Sequence, residues 1–471
     1  MTQDVDIETF APSGDGLARI GRQMVAVPFT IPGERVRIQP GRVTKVGGAA
    51  IQDPPSVVEV LRPSPHRVTA PCPHFGPCGG CSWQHIAYPE QLRLKTALVD
   101  RLVRAAVPHA PRVLPMLPST PLDRPWGYRH KVHFVFGRTG TMGHYTRGSR
   151  RVIPVRECPV HDPRGNDLAF RFRDAVAPAF PARPRGGSRI AQEDGGTRST
   201  LEAIVIRAGA NTPEIMATLV VTDDQDKKLR TATQRALASG AAPSSLHLNL
   251  HPRRDAFIFG RETRRLAGPE RMREVVGGTS FLVSPTAFFQ TNVHAAEILV
   301  RLVLEAVGAD LEPVGADLKV GPYKTILDLY AGAGLFSLPL ARRGHQVTAV
   351  EENRMAAADG EASLRLNRIA PDRCRFIARP VEAALRSVKA ADVVVLDPPR
   401  EGCSPLVVDE VFGRLRPRQA VYVSCNPDAL ARDLALIIAH GFTIASLQPV
   451  DMFPHTAHVE TVAVLTCGST L

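Results

Sequence analysis

No stretch of this 471-residue chain approaches the ~20 consecutive apolar residues that a membrane-spanning helix needs. Its first residues, Met1 to Asp6, lack the basic and apolar regions of a secretory leader. Together these absences set aside membrane and secreted classes and lead to the expectation of a cytoplasmic protein. Cysteine is scarce, with eight in all, and in a reducing compartment any clustered ones read as metal ligands rather than disulfides. Acidic residues are short in one region only. Residues 66–290 carry 33 Lys/Arg against 18 Asp/Glu, whereas residues 1–65 balance at 7 and 7 and residues 291–471 are slightly acidic. The net charge of +12 is therefore concentrated in the middle of the chain, which points to a polyanion partner there.

A hydrophobic share of 44% and a charged share of 22% describe a globular protein, and the length calls for about three domains. Residues 8–65 alternate apolar and polar between glycine turns (Gly14, Gly16, Gly21, Gly33), the pattern of a small β-barrel. From Pro89 to Val107 a helix is expected, with Leu94, Leu98, Leu102 and Val103 on one face. Tyr128–Phe136, Leu201–Ile206, Met216–Val221 and Leu246–Leu250 read as strands, and the Pro-, Arg- and Gly-rich residues 178–200 as a loop. Arg129, Lys131 and Arg147 to Arg151 are candidate phosphate contacts. A short Val-Gly-Ala-Asp-Leu duplication at Val307 and Val314 reads as a lengthened connection.

Cys72, Cys78 and Cys81 stand in a C-x5-C-x2-C array, with Cys158 far beyond. Four thiolates suit either a [4Fe-4S] cluster or tetrahedral zinc, and the spacing leaves both open. The glycines beside Cys78 and Cys81 let the backbone wrap closely round a bulky group.

The C-terminal region alternates strands and helices, giving a doubly wound α/β sheet with its ligand beyond the strands' carboxyl ends. Thr325 to Leu329 is a strand, Ala331 to Gly334 a glycine turn, and Val347 to Val350 a second strand closed by Glu351, a candidate for ribose hydroxyls. A dinucleotide fingerprint would need a third glycine where Ser337 stands, so S-adenosylmethionine fits better. A third strand ends in Asp397-Pro-Pro-Arg400. Val421 to Ser424 is a buried strand, Asn426 a helix cap and Pro427 the first helical residue, leaving Cys425 between strand and helix. There the unpaired N–H groups of a helix start are expected to favour a thiolate nucleophile. Asp328, Glu351, Asp397 and Cys425 all fall at strand ends.

With these residues in hand, the chain resembles the bacterial RNA (uracil-5-)-methyltransferase family, and within it the 23S ribosomal RNA branch. Ser424-Cys425-Asn426-Pro427 matches the nucleophile motif and Asp451 to Glu460 the general-base motif. Phe288 to Asn292, Leu327 to Gly332, Glu351 and Asp397 to Arg400 match the cofactor motifs. The barrel resembles a TRAM domain. The resemblance implies a Rossmann-like S-adenosylmethionine-dependent catalytic domain over 285–471, a TRAM-like RNA-binding barrel over 1–65, and a β-rich, basic iron–sulfur domain over 66–284 whose helix 89–107 packs on the catalytic domain. It implies 23S rRNA as substrate, no obligate protein partner, and a [4Fe-4S] cluster on Cys72, Cys78, Cys81 and Cys158. By the same resemblance Cys425 attacks carbon 6 of uracil and Glu460 removes the carbon 5 proton, while Gln290, Tyr330, Gly332, Glu351 and Asp397 hold the cofactor. His455 and His458 are expected to be structural or to face RNA. At Phe376 to Glu382 the chain departs from the family: Pro380 replaces a side chain that contacts the cofactor, leaving Glu382 or a backbone group to substitute. Other readings are a tRNA uridine methyltransferase, an amino-group methyltransferase built on Asp-Pro-Pro, and an inactive iron–sulfur RNA-binding protein.

Overall fold

The structure is a computed structural model, which describes all residues except 1, 42, 47–48, 138–140, 177–200, 224–226, 239–241, 253–257, 309–323 and 469–471. The loop expected at 178–200 and most of the short duplication after Val307 lie outside the described residues.

Alternation of apolar and polar residues folds the N-terminus into a five-stranded antiparallel sheet. It opens at Gln3–Phe10 and ends with Ser56–Arg62, within the 1–65 expected for the barrel. Val5, Ile7, Ala18, Val27, Val36 and Ile38 form its core.

The middle region is a seven-stranded sheet running in space from Val152–Pro154 through Met142–Tyr145, Lys131–Phe136, Leu201–Ala208, Ile215–Val221 and Ser245–Leu250 to Glu262–Ala267. Helices Pro163–Val176 and Lys227–Ala238 pack together, and Leu168, Phe172 and Ala236 from them join the sheet core.

The C-terminal sheet has eight strands. Cys374–Ile377, Gln346–Val350, Thr325–Leu329, Val393–Leu396 and Gln419–Ser424 run parallel in that spatial order; Glu460–Cys467 inserts antiparallel beside the last, followed by Phe442–Asp451. These strands are apolar throughout because both faces are covered. One face is closed by Val293–Val307, Ser337–Arg342 and Arg354–Leu366, the other by Tyr88–Ala106 and Pro427–Ala439. Strand order reverses at Thr325–Leu329, whose neighbours are Gln346–Val350 on one side and Val393–Leu396 on the other. The crevice above this switch point is where such sheets bind ligands.

The catalytic body is assembled from more of the chain than 285–471. The eighth strand is Leu117–Pro118, paired with Phe442–Asp451, and the helix Tyr88–Ala106 packs on Pro427–Ala439. The hairpin Met272–Val276/Thr279–Val283 lies on Arg354–Leu366, where Asn367, Ser363 and Asp359 accept from the backbone N–H of Ser280, Leu282 and Ser284. The buried face of Tyr88–Ala106 also differs from the leucine stripe expected: it carries Gln91, Lys95, Leu98 and Val99, while Leu94 and Leu102 are half-buried.

Candidate active site and cysteine pocket

The strand Gln419–Ser424 delivers Cys425 to the sheet's mouth. Ser424 pairs with Thr461 across the antiparallel ladder, so the next positions outward on the two strands are Cys425 and Glu460. On the other side Leu396 is in register with Tyr422, so Asp397 emerges alongside. The helix start is built as its residue types dictate: the Asn426 side chain accepts from the Asp428 N–H at 3.1 Å and Pro427 opens the helix. Asn426 Nδ2 also donates to the Arg400 carbonyl at 2.8 Å, joining the two loops.

The expected thiolate preference at Cys425 is reversed. Burial, with Glu460 and Asp397 facing it, pushes its thiol up to about 12, and only Arg400 and a backbone contact act the other way. The cap leaves little to oppose that burial: Asn426 already takes one helix-start N–H and Pro427 has none. Burial also raises Glu460 well above the usual carboxylate range, with Asp397 adding to it and Arg400 opposing, and raises Asp397 to about 7, with Asp328 adding. The free site is thus a cluster of three acids answered by one guanidinium.

In the crevice, Glu351 accepts from the N–H groups of Gly332 and Asn353 at 2.8 and 2.7 Å, pinning the glycine turn to the second strand's end. Asp328 is fully buried, accepts from Ser337 Oγ, and is pushed by burial to about 7; its Oδ1 has no partner. Ser337, standing at the third glycine's place, is what binds that carboxyl. Tyr330 is held at φ 63°, a conformation that strains any side-chain-bearing residue, with its phenol beside the Cys403 thiol and Glu382. Glu382, the candidate substitute at the Pro380 departure, accepts from Ser404 Oγ at 3.0 Å. Gln290 follows the buried Phe289, while its motif neighbour Asn292 is structural. Its side chain caps Val293–Val307 and donates to Ser119 Oγ and the Met452 carbonyl at 2.8 and 2.9 Å.

Sequence reasoning missed how the 451–460 loop is held. Lys95 and Asp451, both fully buried, pair at 2.6 Å, and Lys95 also donates to the Phe453 carbonyl at 3.0 Å. Ser119 donates to the Asp451 carbonyl and Tyr128 to that of Pro454. His455, at φ 65°, stacks on Trp126 with ring centroids 3.8 Å apart, and its carbonyl accepts from the N–H of Ser82 and Trp83. Gly14 of the N-terminal sheet packs so closely that an added Cβ would lie 2.4 Å from that of Ala457. A lysine inside an apolar helical stripe was the one available signal.

Ser82 follows the cysteine array directly. Cys72, Cys78, Cys81 and Cys158 line one cavity of about 390 Å³. The Gly80 N–H donates to Cys78 Sγ at 3.4 Å, and burial pushes the thiols of Cys81 and Cys158 up to about 11 and about 12, each raised further by the other cysteines. Of the candidate phosphate contacts, Arg129 lies in this cavity, and Arg147 is bonded at 2.6 Å to both carboxylate oxygens of Asp15 in the N-terminal sheet. Burial lowers Lys131 to about 7.

A profile described as tRNA (Uracil-5-)-methyltransferase matches residues 316–467, and one for the TRAM domain matches residues 1–46. An uncharacterized RNA methyltransferase of Gloeobacter violaceus is 36% identical, over 99% of this chain and 96% of its own length; one from Halalkalibacterium halodurans is 33% identical, over 98% and 96%. The crystal structure of Pyrococcus abyssi tRNA (uracil-54, C5)-methyltransferase with S-adenosyl-L-homocysteine superposes with a TM-score of 0.73 at 26% identity, covering 99% of this chain and all of that one. The chain belongs to the RNA (uracil-5-)-methyltransferase family. As a member it is an S-adenosylmethionine-dependent RNA methyltransferase with an N-terminal TRAM domain on a Rossmann-like catalytic fold. The family profile spans the glycine turn, Glu351, Asp397, Cys425 and Glu460, so the strand ends meeting at the switch point fall inside it. Gln290 and the four clustered cysteines lie outside both profiles.

Proposed function

We propose that this protein methylates carbon 5 of a uridine in 23S ribosomal RNA, with Cys425 as nucleophile and Glu460 as general base. The observation that carries the chemistry is the ladder register that sets Cys425 and Glu460 on adjacent strand ends beside Asp397 and Arg400. Carbon 5 of uracil is a weak nucleophile. The Cys425 thiol gives up its proton to solvent and its sulfur bonds to carbon 6, which shifts the ring's electron pair toward carbon 5. S-adenosylmethionine would supply an electrophilic methyl group to carbon 5, its sulfur–methyl bond breaking and S-adenosylhomocysteine leaving with that electron pair. Glu460 then accepts the carbon 5 proton, the electron pair re-forms the double bond, and the sulfur–carbon bond breaks to release Cys425.

In the free site burial and the facing acids disfavour the anionic forms of Cys425 and Glu460, so an arriving positive charge would help either work as an anion. The sulfonium of the cosubstrate is such a charge, and Arg400 is the resident one. Gln290, Tyr330, Gly332, Glu351 and Asp397 are the proposed cofactor contacts. Glu351 is already oriented by two backbone donors, and Asp397 stands where the cosubstrate crevice meets Cys425.

Cys72, Cys78, Cys81 and Cys158 are the proposed holders of a [4Fe-4S] cluster. One shared cavity far larger than a single ion, and an amide N–H aimed at a cysteine sulfur, favour the larger group. Such a cluster would supply a rigid four-point tie across the middle domain. The rRNA assignment rests on the barrel together with the four cysteines. Similarity to a Pyrococcus tRNA enzyme favours a second reading, in which transfer RNA is the substrate.

Mass spectrometry of 23S rRNA and tRNA from cells lacking the gene decides between them: one 5-methyluridine should vanish from rRNA, and its loss from tRNA alone would reverse the assignment. With 5-fluorouridine RNA, the protein should form a covalent adduct mapping to Cys425, abolished in Cys425→Ala. Glu460→Gln should retain a methylated adduct that wild type releases; turnover at the wild-type rate would remove Glu460 from its role.

A further inference from the structure

Beside the four thiols lie two histidines, His144 and His161, that neither the family reading nor the cluster uses. Cys158-Pro-Val-His161 forms a tight turn in which the Cys158 carbonyl accepts from the His161 N–H at 3.0 Å, a spacing that turns both side chains toward one point. His144, from the strand Met142–Tyr145, meets them there, and one ligand atom from each of His144, Cys158 and His161 lies within 4.8 Å of the others. The two rings approach edge to face at 5.4 Å, with the Phe134 ring against both.

Two imidazole nitrogens, His144 Nε2 and His161 Nδ1, are buried here with no hydrogen-bond partner. Leaving such buried groups unbonded is unfavourable, so their convergence calls for an occupant. Buried unpartnered imidazoles also occur at His85 and His247, but among the described residues only the pair at Cys158 converges with a thiol. The other nitrogen of His144 is bonded to the His133 backbone, the outer support that fixes a metal-binding histidine's tautomer and leaves the free lone pair pointing outward.

We propose that Cys158, His144 and His161 form a binding site for a single zinc-class divalent cation, sharing Cys158 with the four-thiol set so that the two occupants exclude each other. One sulfur and two nitrogens are the ligand types zinc takes, at ~2.3 and ~2.0–2.1 Å, and small side-chain rotations would bring the three to those distances around one centre. A fourth position is left for water or another cavity residue. Arg129 opposes a cation, and the thiolate that forms at Cys158 when its proton is displaced offsets that charge. Since Ser82 and Trp83 connect the array to the His455 carbonyl, the occupant of this cavity bears on how the Glu460 loop is seated.

Cobalt(II) titration of the full-length, reduced, metal-free protein tests the proposal, with zinc as competitor. One equivalent should bind with a near-ultraviolet thiolate-to-cobalt absorption. His144→Ala, His161→Ala and Cys158→Ser should each weaken it at least about tenfold, while Cys72→Ser and Cys78→Ser change it less than about twofold. His161→Cys should restore binding and strengthen the absorption, an outcome that a merely structural histidine could not produce. Wild-type affinity in both histidine variants, or an equal dependence on Cys72 and Cys78, overturns the site. Iron and sulfide content of the protein as isolated is read separately: iron with sulfide supports the cluster whatever cobalt does, and neither present removes the cluster while leaving this site to the titration.

Discussion

At the level of single residues, the site's character is set by how few charges answer its acids. Burial pushes Cys425 to about 12, with Glu460 and Asp397 adding to it and Arg400 and a backbone contact opposing. Removing one negative neighbour must therefore lower the thiol pKa, and removing the guanidinium must raise it. Asp397→Asn should speed iodoacetamide labelling of Cys425 in the free protein about two- to tenfold, and Arg400→Gln should slow it, since each pKa unit is a tenfold change in thiolate fraction. Peptide mapping reads position 425 apart from the other seven cysteines. For wild type the labelling rate should climb about tenfold per pH unit above neutrality, because the thiol remains far below half-ionised there. A plateau near pH 8 would show the thiol to be already activated. The sequence named Cys425, Glu460 and Asp397 through their motifs. It misjudged the thiol's charge because that depends on groups brought together from three strands, and on a cap whose N–H was already spent.

Among the elements, the 451–460 loop is the junction. It is held from outside by the helix Tyr88–Ala106, the strand Leu117–Pro118 and the N-terminal sheet. Lys95→Met would leave Asp451 buried without its cation, at a cost of ~3–5 kcal/mol. Lys95→Met combined with Asp451→Asn should recover most of that, and denaturant melts of the two variants separate an ion-pair role from simple packing. A loss equal in single and double variants would refute the pairing. Gly14 lies at φ 84° with Ala457 where its Cβ would go, whereas Gly33, at φ 91°, has open space. Gly14→Val should therefore cost ~1–3 kcal/mol more than Gly33→Val, the overpacking cost, and should also slow adduct formation at Cys425. Equal effects would mean that the sheet does not bear on the loop. None of these pairings is visible in a local window: Lys95 and Asp451 are separated by 356 residues, and a lysine inside the apolar stripe does not name its partner.

Over the whole molecule, the surplus of 33 basic against 18 acidic residues in 66–290 should appear as salt dependence of RNA binding. The logarithm of affinity is expected to fall linearly with the logarithm of salt, by ~0.7 for each phosphate contact to a single strand. A flat response would remove the electrostatic reading of the middle region. By itself the sequence determined which residues match the family's motifs, the alternation that builds three sheets, and the order of strand, glycine turn and helix in the C-terminal region, because propensity, periodicity and motif spacing are local properties. Only the tertiary structure decided that the strand Leu117–Pro118 and the hairpin at 272–283 join the body on which helix 89–107 was expected to pack, that His144 and His161 converge on Cys158, and that Cys425 rests as a thiol. Those outcomes depend on burial and on charges brought together across hundreds of residues, where desolvation outweighs any preference that a short stretch of chain can express.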